Sequence, residues 1–346
     1  MAASTEIGKY QLLPAVAANV AGVRHGQRFI CEEIFPPLQV DAEEFRRELD
    51  GNEGMLDIPN LERAMDADSA EVDMDTDFVD ESLSEISVKT KVDYRKIRAA
   101  QHADILKRAM GSTGIGLSSE ERLIQRRAIK LSKICAIHKE KRAAAIAFAT
   151  GSYESALRET AIDWDSADLI SEIEEKRWLV HDMFGVFFDT IVLGKTALKS
   201  VLSNATLLDR IEMGGTPADP ALIGLDTIAK MFRVARVLPA SAVTQAKALP
   251  GAAGASTDIW TPDVAIAIYT GLDLRDPVLG AIDEDDDVAP VFGRTYYANV
   301  PETGVRFNVG RWATPNNKIH YVEVTEFADP KQVLKAGAIW TNTDQA

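Results

Sequence analysis

The spacing of apolar residues changes period along this chain, and each change marks a different kind of element. From Ala70 to Val79 acidic and apolar residues alternate (Glu71, Val72, Asp73, Met74, Asp75). From Ser84 to Tyr94 the residues Ile86, Val88, Thr90, Val92 and Tyr94 occupy every second position. A period of two is that of a strand with unlike faces. With little else around them, the two segments predict a long hairpin that needs an outside partner. The period then lengthens. Ile124, Ala128, Leu131, Cys135 and His138 recur at steps of three and four, one face of a helix. Ser118 with Glu121 matches a capping box, and Gly151 offers a stop. A helix of that extent, some 32 residues, is a rod roughly 48 Å long.

The flanks read differently. Residues 1–40 carry short apolar pieces (Leu12-Leu13, Phe29-Ile30, Ile34-Phe35) broken by Pro14, Pro36 and Pro37, the pattern of an extended arm. Residues 41–86 hold too few large apolar groups to build a core locally. Beyond Ser166 helices and strands alternate. Ser166–Met183, Lys195–Ser203 and Ala221–Phe232 predict helices; Asp189–Leu193, Arg236–Leu238 and Val264–Tyr269 predict strands. Pro239–Thr257 is an Ala/Gly-rich loop and Asp283–Asp287 an acidic turn. The end is strand-rich, over Arg294–Val300, Val305–Val309, Lys318–Thr325 and Ala336–Thr341. The whole is an α+β pattern without internal repeats.

Composition narrows the class. The 346 residues, 46% hydrophobic and 26% charged, describe an ordinary globular chain of about two domains. The longest apolar run, Ala143–Ala149, is far short of the roughly 20 residues of a bilayer span. Met1–Tyr10 lacks a signal pattern, and Cys31 and Cys135 provide no disulfide framework, which fits a reducing compartment. The net charge of −15 argues against tight sequence-specific duplex binding. Its distribution says more. Residues 41–87 hold 17 acids against Arg46, Arg47 and Arg63, a net of −14, whereas residues 89–142 hold 15 bases against five acids, a net of +10. Such blocks either attract one another or a neighbour, or are simply two solvated faces; the contacts expected between subunits are Asp73, Asp75 and Asp77 against Arg122, Arg126, Arg127, Lys130 and Lys133.

Candidate catalytic and ligand motifs fail on their spacing. Gly194-Lys195-Thr196 opens a helix after a strand as a P-loop does, but the position that needs the first glycine is Asp189. Gly111, Gly114 and Gly116 follow no clear strand and read as a hinge. Asp73-x-Asp75-x-Asp77 and Asp283-x-Asp285-x-Asp287 lack the glycine and glutamate of a calcium loop. His25, His102, His138, His181 and His320 show no metal-ligand spacing, and His138 reads as packed on the helix's apolar face. Tyr296-Tyr297 with Arg294 and Arg306 reads as sheet packing rather than a base-stacking platform. No catalytic residue, cofactor or metal is expected, and the chain is read as a non-enzyme.

The order of parts (arm, acidic hairpin, long helix, mixed domain, closing strand) resembles the major capsid proteins of tailed bacteriophages, the Hong Kong 97 fold. The resemblance rests on Phe29-Ile-Cys-Glu-Glu-Ile-Phe-Pro-Pro-Leu-Gln-Val40 for the arm and Val88-Lys-Thr-Lys-Val-Asp-Tyr94 for the strand returning toward the spine. Asp189-Thr-Ile-Val-Leu-Gly194, Leu208-Asp-Arg-Ile211, Asp258-Ile-Trp260 and Val322-Glu-Val324 match the later parts. The resemblance implies an N-terminal arm at 1–49, an extended loop at 50–98 and a spine helix at 118–151. It further implies a peripheral domain at 99–184 and 311–346 and an axial domain at 185–310. It implies self-assembly as hexamers and pentamers into an icosahedral virion capsid around double-stranded DNA, built in the host bacterial cytoplasm. The partners implied are other copies of the chain, a portal protein and separate scaffolding and decoration proteins, with no membrane. No helical segment of about a hundred residues precedes the arm, so a built-in scaffold is not expected. In cross-linking members of the family a hairpin lysine bonds to a neighbour's asparagine. No lysine lies between Asp50 and Val88, so no cross-link is expected here. Two other readings stand beside this one: an encapsulin-type nanocompartment shell, and a soluble α/β nucleotide-binding enzyme built on Gly194-Lys195-Thr196.

Overall fold

A computed structural model describes residues 11–12, 27–40, 42, 44–50, 76–109, 119–213, 224–245, 256–272, 291–299, 306–314 and 319–343. Strand β1 (Gln11–Leu12) is followed, past Gln27, by a single helical turn α1 (Cys31–Ile34) and strand β2 (Pro37–Val40). Proline excludes its predecessor from the helical region, so Pro36 and Pro37 end the turn and turn the chain extended at Phe35. Ile30, Ile34 and Phe35 are buried, so the arm docks on the body rather than trailing free here.

Among the described residues the two alternating segments do not pair as the expected hairpin. β3 (Glu44–Asp50) and β4 (Thr76–Ser82) pair with each other as a two-stranded antiparallel ribbon, while residues 70–75 lie outside the described residues. β5 (Glu85–Asp93) instead runs antiparallel to residues 319–327, from Asp93↔Ile319 to Glu85↔Phe327. Its alternation explains why. Ile86 and Val92 are buried against Ile124, Ala128, Leu131 and Cys135 of the long helix. Next comes α2 (Tyr94–Ala109), which the apolar spacing does not announce. Within 94–105 only Ile97 is buried.

The long helix is α3 (Ser119–Ala147), with its apolar ridge on the predicted residues except one. His138 is exposed, and its neighbours Lys139 and Glu140 are buried instead. The Asp104 carboxylate of α2 accepts from the Ser119 N–H at 2.7 Å, capping α3 from the preceding helix. The helix stops at Ala147, and Gly151 falls in a following 3-10 turn.

β6 (Arg158–Thr160) precedes α4 (Leu169–Phe184), which Asp168 caps and Gly185 ends with a left-handed φ of 71°. Then follow β7 (Thr190–Leu193), α5 (Lys195–Ser203), α6 (Ala205–Met213), α7 (Leu225–Met231) and β8 (Arg236–Pro239). The predicted loop over 239–257 carries a small ribbon of β9 (Val243–Gln245) and β10 (Ser256–Asp258). The chain ends with β11 (Ala265–Ile268), β12 (Gly293–Ala298), β13 (Phe307–Ala313), β14 (Ile319–Gln332) and β15 (Gly337–Thr341).

Two principal sheets result. One has the order β1-β13-β14-β12-β2 with β5 also on β14; the other has the order β6-β15-β11-β7-β8. Every residue of β7 and β11 is buried, as befits strands covered on both faces. On one face lies a core of α4, α5, α6 and α7, and on the other lie the arm, the end of α3 and Trp260. Sheet membership cuts across the limits inferred from sequence. Residues 293–298 pair with β14 and β2, whereas 337–341 lie between β6 and β11.

Candidate functional site

The chemistry of this chain concentrates where the arm, α3 and β14 meet. Lys139 continues the ridge Ala128, Leu131, Cys135, Ala143, so the helix turns its ammonium inward. Its Nζ lies 2.7 Å from Glu326 Oε1 on β14 and 3.1 Å from Glu32 Oε1 on α1. Arg306 closes the ring, with Nε 2.7 Å from Glu326 Oε1 and Nη2 2.7 Å from Glu32 Oε1. Two cations thus face two carboxylates, so the charges balance. Burial alone would lower the Lys139 ammonium, but Glu326 and Glu32 hold its pKa above the ordinary lysine value. Burial likewise opposes ionisation of Glu32, yet Lys139 and Arg306 bring its carboxyl down to about 2.

Glu140, one residue on, has no cation in contact among the described residues. Its Oε1 accepts from Ile30 N at 3.0 Å and Trp260 Nε1 at 2.7 Å; its Oε2 accepts from Cys31 N at 2.9 Å and Ile30 N at 3.1 Å. Burial raises its pKa, with the N–H donors of Ile30, Trp260 and Cys31 working in the opposite direction. The carboxylate caps the N-terminus of α1 from another element, satisfying donors that the one-turn helix leaves open. Together, Lys139 and Glu140 fasten the arm to the spine helix and to β14.

The other sequence candidates fall apart from this junction. Asp73 and Asp75 lie outside the described residues, and Asp77 is placed only as a position in β4. Arg122, Arg126 and Lys130 are exposed and Arg127 and Lys133 half-buried; no ion pair joins them to an acid among the described residues. Gly111, Gly114, Gly116 and Asp283–Asp287 also lie outside the described residues. Burial pushes both cysteine thiols up to about 12, so neither is a poised nucleophile.

At Gly194-Lys195-Thr196 the donors that would hold a phosphate are engaged. Thr196 N and Ala197 N donate to Pro262 O at 2.8 and 3.1 Å. The Asp189 carboxylate accepts from Thr270 N at 3.1 Å and Leu272 N at 3.0 Å. A Cβ on Gly194 would stand 2.5 Å from the carbonyl oxygens of Thr261 and Pro262, so the glycine serves close packing. Tyr296 packs on Phe45 at 4.8 Å between ring centroids, and the Arg306 guanidinium lies 4.9 Å from the Tyr297 ring, both within the sheet environment.

The five junction residues Glu32, Lys139, Glu140, Arg306 and Glu326 are not evident from motif spacing. One signal was present: a lysine four residues after Cys135 and four before Ala143, on the inward ridge.

No protein-family model matches the chain, and no curated protein sequence does. Solved structures do. A phage-related protein from Bordetella bronchiseptica is similar with a TM-score of 0.67 at 18% identity, over 97% of this chain and 98% of its own. A protein assigned as the capsid protein of an Escherichia coli CFT073 prophage has a TM-score of 0.56 at 10% identity, over 96% of this chain and 99% of its own. The encapsulin SrpI from Synechococcus elongatus has a TM-score of 0.46 at 12% identity, over 95% of each chain. The likeness to the first two of these shows that the fold of this chain is the Hong Kong 97-like fold of tailed-phage major capsid proteins. Among the described residues no helix is long and apolar enough to cross a membrane.

Proposed function

We propose that this protein is the major capsid protein of a tailed phage or prophage, assembling as hexamers and pentamers into an icosahedral shell that encloses double-stranded DNA. The observation that carries the reading is the end-to-end structural match with a prophage capsid protein, 96% of one chain on 99% of the other. The β3–β4 ribbon supports it. A two-stranded ribbon is marginal alone in water, and a neighbouring copy is the natural source of further cover. Heterologous contacts that close by rotation provide such cover repeatedly. A portal protein, scaffolding and decoration proteins, and a place in the virion belong to the same proposal.

The test is expression of the full chain, sedimentation, and assay of pelleted material for nuclease-resistant nucleic acid. Particles that protect DNA are the expected result. Particles that hold protein cargo and no DNA would point to a nanocompartment instead, and a monomer at all concentrations would end both shell readings.

A further inference from the structure

The outer half of α3 is a basic surface. Arg122, Arg126, Lys130 and Lys141 are exposed. Arg122, Arg126 and Lys130 stand about 6 Å apart along the axis and Lys141 about 16 Å further on, so the four span about 28 Å of the rod. No acid pairs with any of them among the described residues, although elsewhere cations are matched, as Arg142 is with Asp329 and Arg311 with Glu120. The inner half of the same helix packs on β5 and β14. The basic surface therefore points away from the large sheet.

We infer that this surface is a nucleic-acid interface: the α3 cations lie along the phosphate backbone of duplex DNA, without reading its sequence. The inference rests on the capsid reading above and assigns the face of the subunit that turns toward the DNA. Charge argues for it. A subunit of net charge −15 repels a polyanion unless its cations are gathered on the face presented to it. A band of cations along one side of a rod suits duplex DNA, which carries one charge per about 1.7 Å of its axis. The large sheet's opposite face carries exposed Lys89 and Lys91, but Ser87 and Glu323 are hydrogen-bonded to each other beside them, at 2.8 Å. That face is mixed in sign.

The experiment uses the full chain and a labelled random-sequence DNA duplex, with binding followed by fluorescence anisotropy across a salt series. Each phosphate contact contributes about 0.9 to the slope of log K against log salt. Arg126→Gln with Lys130→Gln should therefore lower the slope by about 1.8. Lys89→Gln with Lys91→Gln, on the other face, should leave it unchanged. An unchanged slope in the α3 variant, or an equal loss in the Lys89/Lys91 variant, overturns the inference. So does an α3 variant that binds DNA normally and fails to form shells, because the acidic segment of a second copy is then the occupant. Shell formation by the unsubstituted chain is scored separately by electron microscopy. Its failure counts against the capsid reading, whereas normal shells with unaltered DNA content in the α3 variant count against this inference alone.

Discussion

Replacing Glu140 by alanine should undock the arm. The substitution leaves three buried N–H donors, those of Ile30, Cys31 and Trp260, without their acceptor. Ile30, Cys31 and Trp260 are 1%, 4% and 1% exposed, so bulk water does not replace the carboxylate freely. Each unsatisfied buried donor costs about 1–3 kcal/mol. Relief of the buried charge, which raises the Glu140 pKa, offsets part of the total. A net loss of about 3 kcal/mol in arm docking is the expectation, at the low end of three such donors. The Ile34 and Phe35 amides report on docking without touching Glu140, since they donate to Ile30 O and Cys31 O at 3.0 and 2.7 Å. Hydrogen exchange at these amides in the unassembled subunit should accelerate about 100-fold, because local opening sets their protection. Glu140→Gln keeps one acceptor oxygen and should show a smaller acceleration. Exchange in the alanine variant within about threefold of the unsubstituted protein would refute the anchoring role, since this corresponds to under about 1 kcal/mol.

Three further outcomes follow from the same geometry. Lys139→Met strips Glu326 of one of its two cations and should cost about 2–3 kcal/mol in urea unfolding, less than a fully orphaned buried charge because Arg306 remains. Glu32 has its carboxyl depressed from 4.5 to about 2, so its stabilisation is complete above about pH 4.5 and is lost as the pH falls toward 2. Half of its side chain is open to solvent, so the effect is that of a screened pair, and Glu32→Gln should flatten the loss of Tm between those limits. Gly194→Ala places a Cβ against two backbone carbonyls that cannot yield, and should lower thermal stability by about 1–3 kcal/mol without any change on adding nucleotide.

Residues with a regular environment were legible in the sequence. Lys195–Ser203 begins and ends as its spacing predicts, because Gly194 opens it and its apolar stripe faces one core. The α3 ridge was legible for the same reason. What the sequence concealed was of two kinds. Over 94–105 α2 exposes most of its surface, so one buried Ile97 left no periodic trace. The partner of β5 was misread because period-two alternation establishes which face is covered, not which strand lies alongside. The junction residues were hidden more deeply. Lys139 and Glu140 look like surface charges until Glu32, Arg306 and Glu326, as far as 187 positions away, arrive around them. His138 illustrates the limit of counting: one step of helical rotation decides whether it or Lys139 faces inward, and the paired carboxylates decide for Lys139.

On the proposed function, copies of this chain close into a shell. Cryo-electron microscopy of particles purified after expression of the full chain tests it most directly. Closed icosahedral particles with five- and sixfold clusters are the expected result, the α3 surface lining the interior beside density for DNA. Open sheets, helical filaments or monodisperse small oligomers under all assembly conditions would contradict it.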